Sequence, residues 1–221
     1  MRLILGASLF VLAALGSPVT AQDARDRFLA QCRADTLAQW PGAGGVDEGC
    51  AERWLSVARS NPLVDILLSP FADGAPRPAT AEALRDRAAL VRWGPATSQG
   101  MEGRLGGVDV QIPAAAPLRL VVGWGAVGEP VPYEIVDALR LRGASVDLIG
   151  CYDYGATESN SVYRIAASGH SPFAMAVYRR EAPTASANSF LTVTADADGR
   201  IPTLDSLRRD EPDANWKTRC A

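Results

Sequence analysis

The chain has 221 residues, 48% of them hydrophobic and 21% charged, with a formal net charge of −3, the make-up of an ordinary globular protein. Its arginines are interleaved with Asp and Glu, so counterion release has no basic patch to act through, which argues against nucleic acid or an anionic membrane surface as partner. One histidine, four cysteines and no CxxC or HxxxH pair give no spacing for a structural metal site.

Residues 1–21 have the anatomy of a secretory signal: Arg2, an apolar run from Leu3 to Leu15, then the small-residue end Ser17-Pro18-Val19-Thr20-Ala21, with cleavage expected after Ala21. The run is shorter than the roughly 20 residues that span a bilayer, and no later run is long enough either. The expectation is an exported protein, periplasmic or secreted, without membrane attachment once the signal is removed. In that setting an even number of cysteines predicts two disulfides. Of three possible pairings, the preferred one joins Cys32 to Cys50 on neighbouring helices and Cys151 to Cys220 between the central sheet and the tail. Loop-closure entropy would make these worth about 3 and about 4 kcal/mol.

Residues 22–95 read as a helical subdomain. Phe28, Leu29, Cys32, Thr36 and Trp40 share one side of a first helix, which Pro41 and the glycines at 42, 44 and 45 end. Asp47 can cap a second helix with Cys50, Ala51, Trp54, Leu55, Val57 and Ala58 inward. Asn61-Pro62 opens a short apolar helix through Leu63, Val64, Ile66 and Leu67, which stops by Ser69-Pro70. Thr80 can cap a fourth helix carrying Leu84, Ala88 and Val91, ended by Gly94-Pro95. Residues 96–117 are a Gly-, Ala- and Pro-rich connector with one alternating strand, Val108 to Ile112.

The stretch from Leu118 to Thr194 keeps the longest readable period, as strand, turn, helix, strand and three further strands. Residues 118–221 are therefore expected to form an α+β domain. Its mostly antiparallel sheet would have about five or six strands, with one main helix packed on it. Gly123-Trp124-Gly125-Ala126-Val127-Gly128 resembles the dinucleotide-binding fingerprint. However, Pro130 and Pro132 delay the helix to about Tyr133, so no free N–H row stands beside the glycines and no cofactor is expected. Ile135, Val136 and Leu139 should face inward, with Glu134, Asp137, Arg140 and Arg142 outward. Thr194 to Asp205 places Asp196, Asp198, Gly199 and Asp205 at EF-hand-like offsets. The competing reading is a hairpin turn at Asp198-Gly199 between the strands 190–194 and 201–204. The tail, with Leu204 and Leu207 on a helical turn and Trp216 further on, is expected to fold back toward Cys151.

Alternation in the last strands sets Tyr163 and Ile165 opposite Arg164, and Phe173, Met175 and Val177 opposite Ala174, Ala176, Tyr178 and Arg180. One sheet face is thus apolar and meets the helix, while the other offers alanines, tyrosines and arginines, which are favoured anchors at binding surfaces. Two functions follow. The first is an exported binding or interaction protein using Tyr163, Arg164, Tyr178 and Arg180, its partner a protein or small ligand outside the cytoplasm. The alternative is a hydrolase working through Asp153 and Glu158, and through the single imidazole His170. No GxSxG elbow accompanies that histidine. Convergence of these three groups in one concavity would favour the enzyme.

Overall fold

In a computed structural model of the protein, the described residues are 21–124, 132–180, 189–195 and 200–218. Residues 1–20 of the expected signal, Gly125 and Gly128 of the glycine-rich turn, Asp196, Asp198, Gly199 and Cys220 lie outside them.

The chain begins with a helical hairpin, α1 (Ala21–Gln39) and α2 (Val46–Arg59), held by a Cys32–Cys50 disulfide with a Cα–Cα distance of 5.9 Å. The expected Asp47 cap is absent. Gly45, at φ 69°, turns the chain into α2 without a side-chain cap, and Asp47 instead pairs with Arg33 at 2.5 Å. Ser60 is fully buried and helical at φ −78°. It carries the chain directly into α3 (Asn61–Leu68), with Pro62 where the first turn needs no donor. A 3-10 turn at Ser69–Phe71 and α4 (Ala81–Arg87) follow, α4 capped by Thr80, whose hydroxyl accepts from the Ala83 amide at 3.2 Å. Trp40 and Leu55, expected inward, are 59% and 54% exposed. A two-helix hairpin with no third element on its outer flank leaves one side of each helix in water.

The sheet is larger than expected, with nine strands where five or six were predicted: β1 (Arg92–Trp93), β2 (Gly100–Leu105), β3 (Val108–Pro113), β4 (Arg119–Trp124), β5 (Ser145–Tyr154), β6 (Glu158–Ala166), β7 (Phe173–Arg180), β8 (Ser189–Thr194) and β9 (Asn215–Trp216). Every pairing is antiparallel, in the order β1-β2-β3-β4-β8-β7-β6-β5-β9, so the α+β class holds. β2 was hidden in the expected connector by Gly100 and Gly103. A Cβ at Gly103 would come within 2.6 Å of the Val91 side chain and 2.8 Å of the Trp93 ring. The inward position there must be empty, which removes the strand-like pattern from the sequence. The strand expected at 201–204 does not form. Both edges of β8 are taken, by β4 and β7, and Leu204 instead opens α6 (Leu204–Asp210) behind a Thr203/Ser206 capping box.

After β4 the chain crosses by α5 (Pro132–Leu141) to β5, then returns through β6 and β7 until β8 lies against β4. One sheet face carries the core. Val110, Ile112, Leu120, Val122, Ile165, Met175, Leu191 and Val193 meet Val64, Leu67, Leu84, Ile135 and Leu139 from the helices, in one cluster that spans the N-terminal helices and the sheet. Phe71 stacks on Phe173 at 4.1 Å and 6°. Asp137 of α5, expected outward, has a side chain only 13% exposed, bonded to Arg53 and 3.6 Å from Arg140.

Candidate binding face

Alternation along β7 is clean: Phe173, Met175 and Val177 are buried, while Ala174, Ala176 and Tyr178 are half-buried on the opposite side. Strand register extends that second face. Tyr178 stands beside Phe190 on β8 and Asn160 on β6, Asn160 stands beside Tyr152 on β5, and Tyr152 beside Trp216 on β9. Four of these five side chains are aromatic, so the row across five strands is a band of four rings interrupted by Asn160 on β6. The Tyr178 and Phe190 rings stack at 4.5 Å and 25°, and the Tyr152 and Trp216 rings lie 4.6 Å apart.

The two halves of the band differ in what covers them. At the β5 end, α6 and Trp216 close down on Gly150, where an added Cβ would stand 2.8 Å from Leu204 and 3.1 Å from the Trp216 ring. Tyr152 is buried beneath them. The Tyr154 phenol donates to Glu211 of the segment after α6, and the Arg208 guanidinium lies 5.9 Å from the Trp216 ring. Toward β7, β8 and β4 the face carries Ala174, Ala176, Thr192, Thr194 and Val121, all half-buried. No described helix packs over these residues.

The ring hydroxyls report these surroundings. Burial and the nearby Glu211 charge push the Tyr152 phenol up, against the opposing effect of Asn160, whose amide donates to the Tyr152 oxygen at 2.7 Å. Donation to Glu211 raises the Tyr154 phenol further. Tyr178 is raised by burial first and by Glu158 second. All three are neutral hydrogen-bonding groups at physiological pH.

Of the four residues predicted for the binding surface, the structure brings Arg164, Tyr178 and Arg180 to this face and turns Tyr163 into the core, where it is buried. The alternation had already set Tyr163 with Ile165. Arg180 pairs with Glu158 at 3.3 Å, while Arg164 is exposed. Phe190, Asn160 and Trp216 were missed as members of the same band as Tyr178, because their place in it depends on strand order.

The alternative trio is scattered. Tyr154 faces Glu158 and Asp153 faces Ser159 across the β5–β6 hairpin, which puts the two carboxylates on opposite faces. Asp153 binds Lys217 at 2.7 Å. His170 lies beyond the other end of β6, about 26 Å or more from Glu158 at the usual strand rise. Its Nδ1 is 2.9 Å from the Ser168 carbonyl oxygen, and its backbone bridges Ala72.

Among the described residues no three His, Cys, Asp or Glu side chains gather to hold a metal ion, and no helix is long and apolar enough to cross a membrane. Thr194 ends β8 and Asp205 lies in the first turn of α6, so the two ends of the EF-hand-like stretch belong to different elements. Gly123 is a β4 residue beside Phe190 and Asp109. Cys151 is disulfide-bonded, and the Lys217 amide donates to its carbonyl at 3.0 Å, so the tail does return to β5. No family model matches the chain, no curated protein is similar to it, and no solved structure is similar to it.

Proposed function

We propose that the protein is an exported binding protein that holds its partner on the sheet face opposite the helices, with Arg164, Tyr178 and Arg180 among the contacts. One observation carries this reading. A floor of small side chains, Ala174, Ala176 and Thr192, is bordered by the stacked Tyr178–Phe190 pair and by arginines, on the face that the described helices α1–α5 leave open. Rigid rings beside shallow, desolvatable ground are the composition of binding hot spots. Scatter of Asp153, Glu158 and His170 over two faces and two ends of β6 removes the geometric support for the hydrolase. A disulfide-held hairpin and the absence of a membrane-spanning helix among the described residues are compatible with life outside the cytoplasm.

The test is recovery of a partner by the purified protein from an envelope extract, repeated with Tyr178→Ala and Arg180→Ala. Loss of the partner from both variants, each still folded with a cooperative melting transition, supports the face. Equal recovery by wild type and variants removes it.

A further inference from the structure

We infer that the open face carries a site for an oxyanion, a phosphate or carboxylate group of a small ligand, held between Arg119 and Arg164. The inference rests on the reading of this face as a binding surface and names what one part of it would take.

The geometry comes from register. Arg119, the first residue of β4, pairs with Thr194 of β8. Met175 pairs with Val193, so Ala174 stands beside Thr194, and Ala174 pairs with Arg164 of β6. Arg119, Thr194, Ala174 and Arg164 thus form one row across four adjacent strands. The two arginines are three strand spacings apart, about 14 Å between Cα atoms. That leaves a gap of one Thr and one Ala, low enough for two long side chains to lean over from either side and meet on one anion. The Thr194 hydroxyl lies on the floor between them as a third donor.

Among the described residues neither arginine has a carboxylate partner. Several described arginines are committed to a carboxylate: Arg33 to Asp47, Arg53 to Asp137, Arg104 to Asp109, Arg142 to Asp65 and Arg180 to Glu158. Arg164 and Arg119 have no such carboxylate among the described residues. The Nε of Arg119 is buried and has no hydrogen-bond partner, which is costly for a charged donor unless something supplies an acceptor. The cross-strand neighbour of Arg164 is Asp147, and the Asp147 carboxylate accepts from the Ser145 hydroxyl at 2.9 Å instead of pairing with Arg164. Asp147 lies on the far side of Arg164 from the gap, so it orders that edge without filling the site. Two guanidinium forks facing one another suit planar or tetrahedral oxyanions, which they can hold bidentately.

The second end of the ligand follows from the same face. Four residues along β7 from Ala174, about 13 Å at the usual rise, stands Tyr178 on Phe190. A small molecule with an anionic group at one end and a flat apolar body at the other would match both.

The experiment is isothermal titration of the full-length protein at constant ionic strength, with inorganic phosphate in one arm and citrate in the other and chloride as the control. Wild type should bind at least one probe saturably in the millimolar range or tighter. Arg164→Gln and Arg119→Gln should each weaken that binding roughly ten-fold or more, as loss of a charge-assisted bond requires. The arm that binds tells phosphate from carboxylate. Absence of saturable binding in both arms, or undiminished binding by the double variant, overturns the site. Arg164 is exposed, so Arg164→Gln alone reads the site if Arg119→Gln fails to fold. The titration uses no protein partner, and its outcome is independent of whether Tyr178→Ala and Arg180→Ala lose theirs.

Discussion

The two faces of the sheet are built from the same strands by the same alternation, yet they end in different states. The inner face is filled by Phe173, Met175 and Val177 and sealed by α3, α4 and α5. The outer face offers Ala174, Ala176 and Tyr178, and among the described residues α6 and Trp216 close it at the β5 end. The inner side is large and apolar because it must offset chain entropy. The outer side has small residues at the middle and rings and arginines at the margin, the composition on which the proposed binding role rests. The apolar core and the proposed binding face are thus separated by one residue step along each strand.

That separation can be broken from the inside first. Phe173→Ala removes a ring that is 1% exposed and stacked on Phe71, and should cost about 3–5 kcal/mol in chemical denaturation. A loss below about 1 kcal/mol would mean that the stacked pair is not central to the core. Next in size is the hairpin. Replacing Cys32 and Cys50 together by Ser opens a loop of separation 18 and should cost about 3 kcal/mol, read by the melting temperature under non-reducing conditions. Equal melting of the variant and wild type would place α1 outside the cooperative unit.

Outer-face changes should be smaller in stability and larger in binding. Tyr178→Ala gives up the ring contact with Phe190, about 0.5–1.5 kcal/mol, while partner recovery should fall sharply. A variant that loses several kcal/mol and keeps its partner would invert the comparison. The smallest effect is a pH dependence at the closed end. The Tyr152 and Tyr154 phenols are raised in the folded state, so their contribution is complete below the unfolded value of about 10 and is lost as pH rises through the folded values. Tyr154→Phe should flatten the alkaline limb of the stability curve. An unchanged limb would mean that the Glu211 contact does not persist in solution.

Much of this was legible in the sequence because alternation and helical spacing are local signals. The strands from Leu118 to Thr194, the inward Ile135 and Leu139 of α5, the Thr80 cap and the Cys32–Cys50 pair were all readable. What the sequence hid depends on close approach or strand order. Gly103 is empty because Val91 and Trp93 fill its place, so β2 has no pattern of its own. Residues 201–204 follow the Asp198-Gly199 turn signal, but β8 has no free edge to receive them as a hairpin partner. The band from Phe190 to Trp216 and the row from Arg119 to Arg164 join residues from distant parts of the chain, and only the order β4-β8-β7-β6-β5-β9 makes them neighbours.

The central claim is that the partner covers the outer face, and arginine-specific labelling with phenylglyoxal reads this residue by residue. In the captured complex Arg164 and Arg180 should be modified much more slowly than in the free protein, while the exposed Arg25 and Arg59 of the helical hairpin react at an unchanged rate. Unchanged labelling of Arg164 and Arg180, with protection appearing on the hairpin instead, would contradict it.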